Sequence, residues 1–253
     1  MDLKLKDKVA LVTGGSRGLG RAISLGLAAE GAKVAVNYRT HGDEAEAVVA
    51  EIRRDYGVEA VAVVGDVADE GEVQRMFRLT EETFSRVDVL VNNAAVCPTC
   101  RVEDLSEEEW TRTLQVNLTG TFLACREMVR RLLAAGRPGR IVNVSSTAAF
   151  LGSTTGHAPY DASKGGVIAF TISLAREVAP RGIAVNAVAP GMMYTDMTAE
   201  TLKANEEKYL DRIPLRRIAD PVEVADVVVF LASQAASYMT GATVNVSGGL
   251  LMR

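Results

Sequence analysis

Short apolar runs rich in β-branched residues recur at 9–12, 34–36, 60–64, 87–91, 141–144, 183–188 and 243–246, and each predicts a strand. Between them lie stretches of helical spacing. Three open on N-terminal signals, Asp69 with Glu72, Ser106 with Glu109, and Asp220-Pro221 with Glu223, where a side-chain oxygen can accept from the first free backbone N–H groups. Continuously apolar strands must be covered on both faces. The alternation therefore predicts a doubly wound α/β fold, a parallel sheet of about seven strands with helices on both sides. No linker, repeat or low-complexity segment interrupts residues 1–253, which read as a single domain. Residues 165–175 carry no charge, so the helix there needs cover on more than one side, from within the chain or from a second subunit.

Composition removes several classes of function. An apolar content of 48% with 24% charged residues excludes disorder. The formal net charge of −4 gives no general attraction for nucleic acid or anionic lipid. Residues 1–8 alternate charged and apolar positions and lack the apolar run of a signal peptide, which points to the cytoplasm. The longest uncharged stretch, 141–160, is punctuated by Asn143, Ser145, Ser146, Gly152, Ser153 and Pro159, so it does not read as a membrane span. Three cysteines suggest no disulfide framework.

In a doubly wound sheet, ligands bind beyond the carboxyl ends of the strands, and the informative motifs fall there. After the first strand comes Thr13-Gly14-Gly15-Ser16-Arg17-Gly18-Leu19-Gly20, leading into helical spacing over 21–30. Gly14, Gly18 and Gly20 allow a tight turn, close backbone approach to a pyrophosphate and close packing of helix on strand. The helix N-terminus supplies amide donors. A dinucleotide fingerprint of the usual kind has an acidic residue after the second strand to accept from the ribose. This chain has Asn37-Tyr38-Arg39. With no carboxylate to repel a 2′-phosphate, and with Arg17 as a second guanidinium, NADP(H) is favoured over NAD(H); arginines that meet only water are the alternative. Asp66, followed by Val67, can accept from an adenine amino group or cap a turn. In Asn92-Asn93-Ala94-Ala95, Asn92 reads mainly as a structural amide, with Asn93 and Ala94 as candidate cofactor-binding residues.

Tyr160 and Lys164 stand four residues apart, on one face of a helix. A nearby ammonium favours a phenolate and lowers the phenol pKa. Upstream, Ser145-Ser146 ends the fifth strand, and Asn117 lies further upstream. With Asn92-Asn93-Ala94 and Pro190-Gly191, these residues closely resemble the short-chain dehydrogenase/reductase family over essentially the whole chain, in the family's order. The resemblance implies a Rossmann-type fold and a nicotinamide cofactor. It implies Tyr160 as acid/base, Ser146 as the group holding the substrate oxygen, Lys164 as ribose ligand and tuner of Tyr160, and Asn117 as support for a proton relay through water. It further implies that Pro190, Gly191, the Met193 backbone and Thr195 meet the nicotinamide, and that the subunits form a tetramer. The chain departs from the family at Ala95, where glycine is common, at Ser247, where aspartate is frequent, and in one extra residue between Ser146 and Tyr160.

Within the family, Asn37-Tyr38-Arg39, Thr195-Asp196-Met197-Thr198, Ile213-Pro214-Leu215 and Val224-Ala225-Asp226-Val227 look most like the 3-oxoacyl-[acyl-carrier-protein] reductases. Arg137 and Arg181 resemble their basic docking residues for an acidic carrier protein. Two other readings stay open: a sugar or polyol dehydrogenase, with Ser153, Thr154, Thr155 and His157 binding hydroxyls, and a nucleotide-sensing protein without turnover. The charged stretch 198–212 reads as a lid or as an ordinary solvent helix. Cys97-Pro98-Thr99-Cys100 offers too few ligands for zinc, which leaves a regulatory disulfide as its one sharper reading. His157 reads as pocket wall. Arg39→Asp is expected to move the NADPH/NADH activity ratio toward NADH, and an unchanged ratio would count against the assignment.

Overall fold

The computed structural model describes residues 2–252. Its strands are β1 (Val9–Val12), β2 (Lys33–Tyr38), β3 (Ala60–Val64), β4 (Val89–Asn92), β5 (Gly139–Val144), β6 (Ile183–Pro190) and β7 (Thr243–Val246). They form one seven-stranded sheet in the order β3-β2-β1-β4-β5-β6-β7, with every pairing parallel. The helices are α1 (Gly18–Ala29), α2 (Gly42–Tyr56), α3 (Glu70–Phe84), α4 (Glu107–Leu114), α5 (Gly120–Ala134), α6 (Ala148–Leu151), α7 (Ala158–Val178), α8 (Ala199–Arg212) and α9 (Pro221–Ala232). The chain reverses its direction of travel across the sheet between β1 and β4, which opens a crevice at their carboxyl ends.

Alternation along the strands divides the core in two. Ala10 and Val12 of β1 pack with Ile23 and Leu27 of α1, Ile52 of α2 and Val228 of α9. Val9 and Leu11 face Met76 and Phe77 of α3 and Met128 and Leu132 of α5 on the other side. Each large side chain sealed in this way contributes about 1.5–3 kcal/mol of transfer free energy. Both faces being covered is why the strands read as unbroken apolar runs.

The expected caps form. Asp69 accepts from Glu72 N (2.8 Å) and Ser106 from Glu109 N (3.1 Å), while Asp220 and Glu223 complete a capping box. The limits of β2, β4, β5, β6 and α1 differ from the sequence reading. β4 begins at Val89 rather than at residue 87, because the Asp88 carboxylate instead accepts from Val9 N (3.0 Å) and Arg86 Nε (2.9 Å). α1 begins at Gly18, ahead of the residue-21 start read from the spacing, with Gly18 itself at a φ of +50° in the turn that opens the helix.

Polar ties cross the apolar layers where the site is built. Asn92 Nδ2 donates to Asn143 Oδ1 (2.8 Å), and Asn143 Nδ2 donates to Thr171 Oγ1 (2.9 Å), joining β4, β5 and α7. Asn143 is fully buried. Asn143→Ala strands the Asn92 donor away from water, so urea unfolding is expected to show a loss of about 1–3 kcal/mol.

Candidate active site at the carboxyl edge of the sheet

The loop after β1 is shaped by close approach. Gly14 has φ +59°, and a Cβ on Gly20 would collide with the Gly14 carbonyl oxygen. Helix and turn are therefore in backbone contact, which only glycine permits. Side chains from two other strands hold the loop: Asn37 Oδ1 accepts from Gly14 N (3.2 Å), and Asn93 Nδ2 donates to the carbonyls of Thr13 and Gly14 (3.0 Å each). Thr13 Oγ1 accepts from Asn93 N (2.9 Å) and Ala94 N (3.1 Å), so the loops after β1 and β4 move as one. Whereas Asp69, Ser106 and Asp220 cap their helices, α1 has no side-chain cap and no acidic residue in its first turn. Its first N–H groups and positive dipole end suit a pyrophosphate, and the cradle that a Cβ would fill fits a dinucleotide. Ser16, Leu19 and Gly20 are buried within this turn.

Around the loop stand the remaining predicted cofactor residues. Arg39 is exposed and lies 3.4 Å from the Asp66 carboxylate, whose other oxygen accepts from Ala68 N (2.9 Å). Arg17 is exposed near Asp196 (3.9 Å). Val67 is buried against Gly120, where an added Cβ would lie 3.0 Å from it. A Cβ on Gly18 would lie 3.5 Å from Thr195, which places the segment after β6 beside the glycine loop. Pro190 closes β6, Gly191 packs on Ser247, and Met193 forms a backbone bridge with Ala219.

Ser146, Tyr160 and Lys164 come together where β5 ends. The Ser145 hydroxyl donates to the Lys164 carbonyl (2.8 Å), which commits it to the fold, while the half-buried Ser146 accepts from Ala148 N (3.1 Å). Lys164 Nζ lies 5.6 Å from the centre of the Tyr160 ring and donates to the Val144 carbonyl (2.7 Å). Asn117 is fully buried in a π-helical turn, Gln115–Thr119, between α4 and α5. Its amide accepts from Val96 N (2.8 Å) and donates to Val96 O (2.9 Å) and Ser163 Oγ (3.0 Å). The side chain thus joins the loop after β4 to α7, and the backbone carbonyl accepts from Thr121 Oγ1 (2.8 Å). Wide turns of this kind interrupt helices at functional sites.

Electrostatics at the cluster differ from the sequence expectation. Burial pushes the Tyr160 phenol above its ordinary value, with the charges of Cys97 and Asp161 adding to the effect and the Ser146 hydroxyl opposing it. Burial lowers Lys164 to about 8. The net direction for the phenol is thus upward rather than downward: both groups lose water, and the desolvation penalty on each charged form sets the sign. Burial also raises the Cys97 thiol to about 11, with the Asp161 carboxylate contributing.

Arg137 and Arg181 are not at this edge. They precede β5 and β6, whose first residues, Gly139 and Ile183, are paired, so they lie at the opposite end of the strands from Ser146 and Tyr160. Arg137 sits 3.6 Å from Asp88 there. A parallel sheet places every strand's entry at one edge and every exit at the other, so these arginines cannot border the pocket of their own chain. Cys97, Cys100 and Cys125 are free thiols. Among the described residues no helix is long and apolar enough to cross a membrane. The sequence reading placed Thr13 and Asn37 within motifs without giving either side chain a task, and did not single out Ser163; the signal for Asn37 was an amide directly after the apolar run 34–36.

The arrangement of glycine loop, Asn117 turn, Ser146, Tyr160 and Lys164 on this topology is that of the short-chain dehydrogenase/reductase family, to which the chain belongs. Residues 14–251 match the family model described as Enoyl-(Acyl carrier protein) reductase. A 3-oxoacyl-[acyl-carrier-protein] reductase of Synechocystis sp. is 48% identical over 249 residues, 98% of either chain. One from Aquifex aeolicus is 44% identical over 250 residues, covering 99% of this chain and all of its own. The crystal structure of a short-chain type dehydrogenase/reductase from Mycobacterium marinum, 32% identical, superposes with a TM-score of 0.95 over 100% of this chain and 99% of that one. A nicotinamide cofactor goes with this family.

Lys164 gives the site a measurable pH signature. Between about 8 and the ordinary 10.5, the unfolded chain binds a proton at this position that the folded chain has released. Stability from this group therefore rises with pH across that window, and the cost of burying the ammonium is fully present below it. Lys164→Met is expected to compare best with the wild type below pH about 8 and to lose ground as pH rises above it, read from denaturant unfolding across that range.

Proposed function

We propose that this protein is an NADPH-dependent reductase of 3-oxoacyl thioesters carried on acyl carrier protein, with Tyr160 as proton donor. The observation that carries the reading is the convergence of Ser146 and Tyr160 above the buried Lys164, beside a glycine loop built for a pyrophosphate. Two hydroxyls meet where a carbonyl oxygen would be held. The names of the Synechocystis and Aquifex relatives support the substrate class.

The chain's own residues divide the work. Gly14, Ser16, Gly18, Leu19 and Gly20 would hold the pyrophosphate; Arg17 and Arg39 would hold a 2′-phosphate; Asp66 and Val67 would face the adenine. Asn93, Ala94, Pro190, Gly191, Met193 and Thr195 would fix the nicotinamide end. When bound, the reduced nicotinamide supplies hydride to the carbonyl carbon. Ser146 donates to the carbonyl oxygen and stabilises the negative charge that develops there. A phenol raised by burial stays protonated at neutral pH, so Tyr160 gives its proton to that oxygen. The Lys164 ammonium is the nearest cation to the phenolate left behind, and it would bind the nicotinamide ribose. Asn117 supports proton return through its backbone carbonyl while its amide keeps the surrounding loops in place.

The sugar or polyol reading has less support. Ser153 Oγ accepts from His157 N (3.2 Å), and the hydroxyls of Thr99 and Thr155 pair with the two ring nitrogens of His157. These contacts tie Thr99, Ser153 and Thr155 to His157, while the Ser153 O–H and the exposed Thr154 keep donors free, so it is the names of the relatives that favour the thioester. The description of the family model favours one other reaction, reduction of a carbon–carbon double bond next to the thioester. A carrier docked on Arg137 and Arg181 of one subunit would serve the pocket of a neighbour, which fits the expected tetramer and the exposed Phe122 and Ile172 on α5 and α7.

With NADPH, the wild type is expected to reduce an acetoacetyl thioester, leaving sugars and enoyl thioesters untouched. Tyr160→Phe should lower kcat by roughly 10²–10⁴ while NADPH still binds, as followed by nicotinamide fluorescence. Turnover close to wild type in that variant would overturn the assignment of the proton donor.

A further inference from the structure

The one-residue-longer segment before Tyr160 is fastened at both ends. On one side, Thr99 Oγ1 lies 2.9 Å from His157 Nε2, and Thr155 Oγ1 lies 3.3 Å from His157 Nδ1. Cys100 N donates to Gly156 O (2.8 Å) close by. Gly156 has φ +88°, and a Cβ there would come within 2.7 Å of the Cys100 carbonyl oxygen, so the two loops touch through backbone. On the other side, Asp161 Oδ2 accepts from Ser153 N (2.7 Å), and Asp161 N donates to His157 O (2.9 Å). Neither 97–100 nor 152–157 contains a regular element, so each would be mobile without these links. Cys97, at the root of the first loop, is half-buried and close enough to Tyr160 for their charges to interact.

We propose that His157 is a positioning residue: its ring bridges Thr99 and Thr155, locks the 97–101 loop onto the 152–157 loop, and thereby fixes one wall of the substrate entrance three residues ahead of Tyr160. This rests on the reading of the protein as a thioester reductase and adds what sets its affinity for substrate. Either tautomer of the ring can serve, because each threonine hydroxyl both donates and accepts. Holding the wall in place before substrate arrives removes an ordering cost from binding and leaves the chemical step alone.

The test combines steady-state kinetics on an acetoacetyl thioester of a small thiol with amide hydrogen exchange of the substrate-free protein, for His157→Ala, His157→Gln and Thr99→Val. His157→Ala and Thr99→Val are expected to raise KM roughly tenfold with kcat within about twofold of wild type, and to lose protection at the Cys100 amide. His157→Gln, which keeps a donor and an acceptor, should restore both. A KM that stays at the wild-type value while protection is lost overturns the proposal, and so does a kcat that falls as far as kcat/KM. Should the wild type fail to reduce the thioester, the functional reading fails, and the exchange measurement still decides the clasp: unchanged protection in His157→Ala refutes it.

Discussion

The contact between Gly20 and the Gly14 carbonyl sets the geometry on which the rest of the active edge depends. It brings the first turn of α1 directly under the strand end, so unpaired amides point at the crevice between β1 and β4. Asn37 and Asn93 then secure the loop from strands on either side. Through Thr13 the loop after β4 is attached to it, and through Asn117 that loop is attached in turn to the helix bearing Tyr160 and Lys164. The residues proposed to bind cofactor and those proposed to move protons thus belong to one hydrogen-bonded chain. An error at its glycine end would be felt at its tyrosine end.

The chemistry of the cluster follows from dehydration more than from pairing. A phenol and an amine placed side by side in water would shift toward phenolate and ammonium. Out of water both charged forms are penalised, so the neutral phenol is retained and the amine is softened to about 8. A phenol so raised is an acid that keeps its proton over a wider pH range than one in water, as the proposed role of Tyr160 requires.

Much of this was legible along the chain because two rules are local. Period and caps located the strands and helices: the runs at 9–12, 60–64 and 243–246 became strands with the same limits, and Asp69, Ser106 and Asp220 all cap helices. Spacing located Tyr160 with Lys164. What the chain did not reveal were relations across the sheet. Asn37 looks like an ordinary polar residue until β3 is laid beside it, and nothing in the spacing of Arg137 and Arg181 tells that strand polarity puts them at the edge away from Ser146 and Tyr160. The sign of the Tyr160 shift was likewise hidden, since neighbours can be read from spacing but the depth of burial cannot.

The wide turn at Gln115–Thr119 makes the length of its helix part of the design. Removing a single residue there would close the wide turn into ordinary winding and leave the two halves of the helix near their present phase, so the damage would stay local: Asn117 would lose the position from which its amide holds the Val96 loop and Ser163. In this stretch, residue count decides whether the wide turn forms at all.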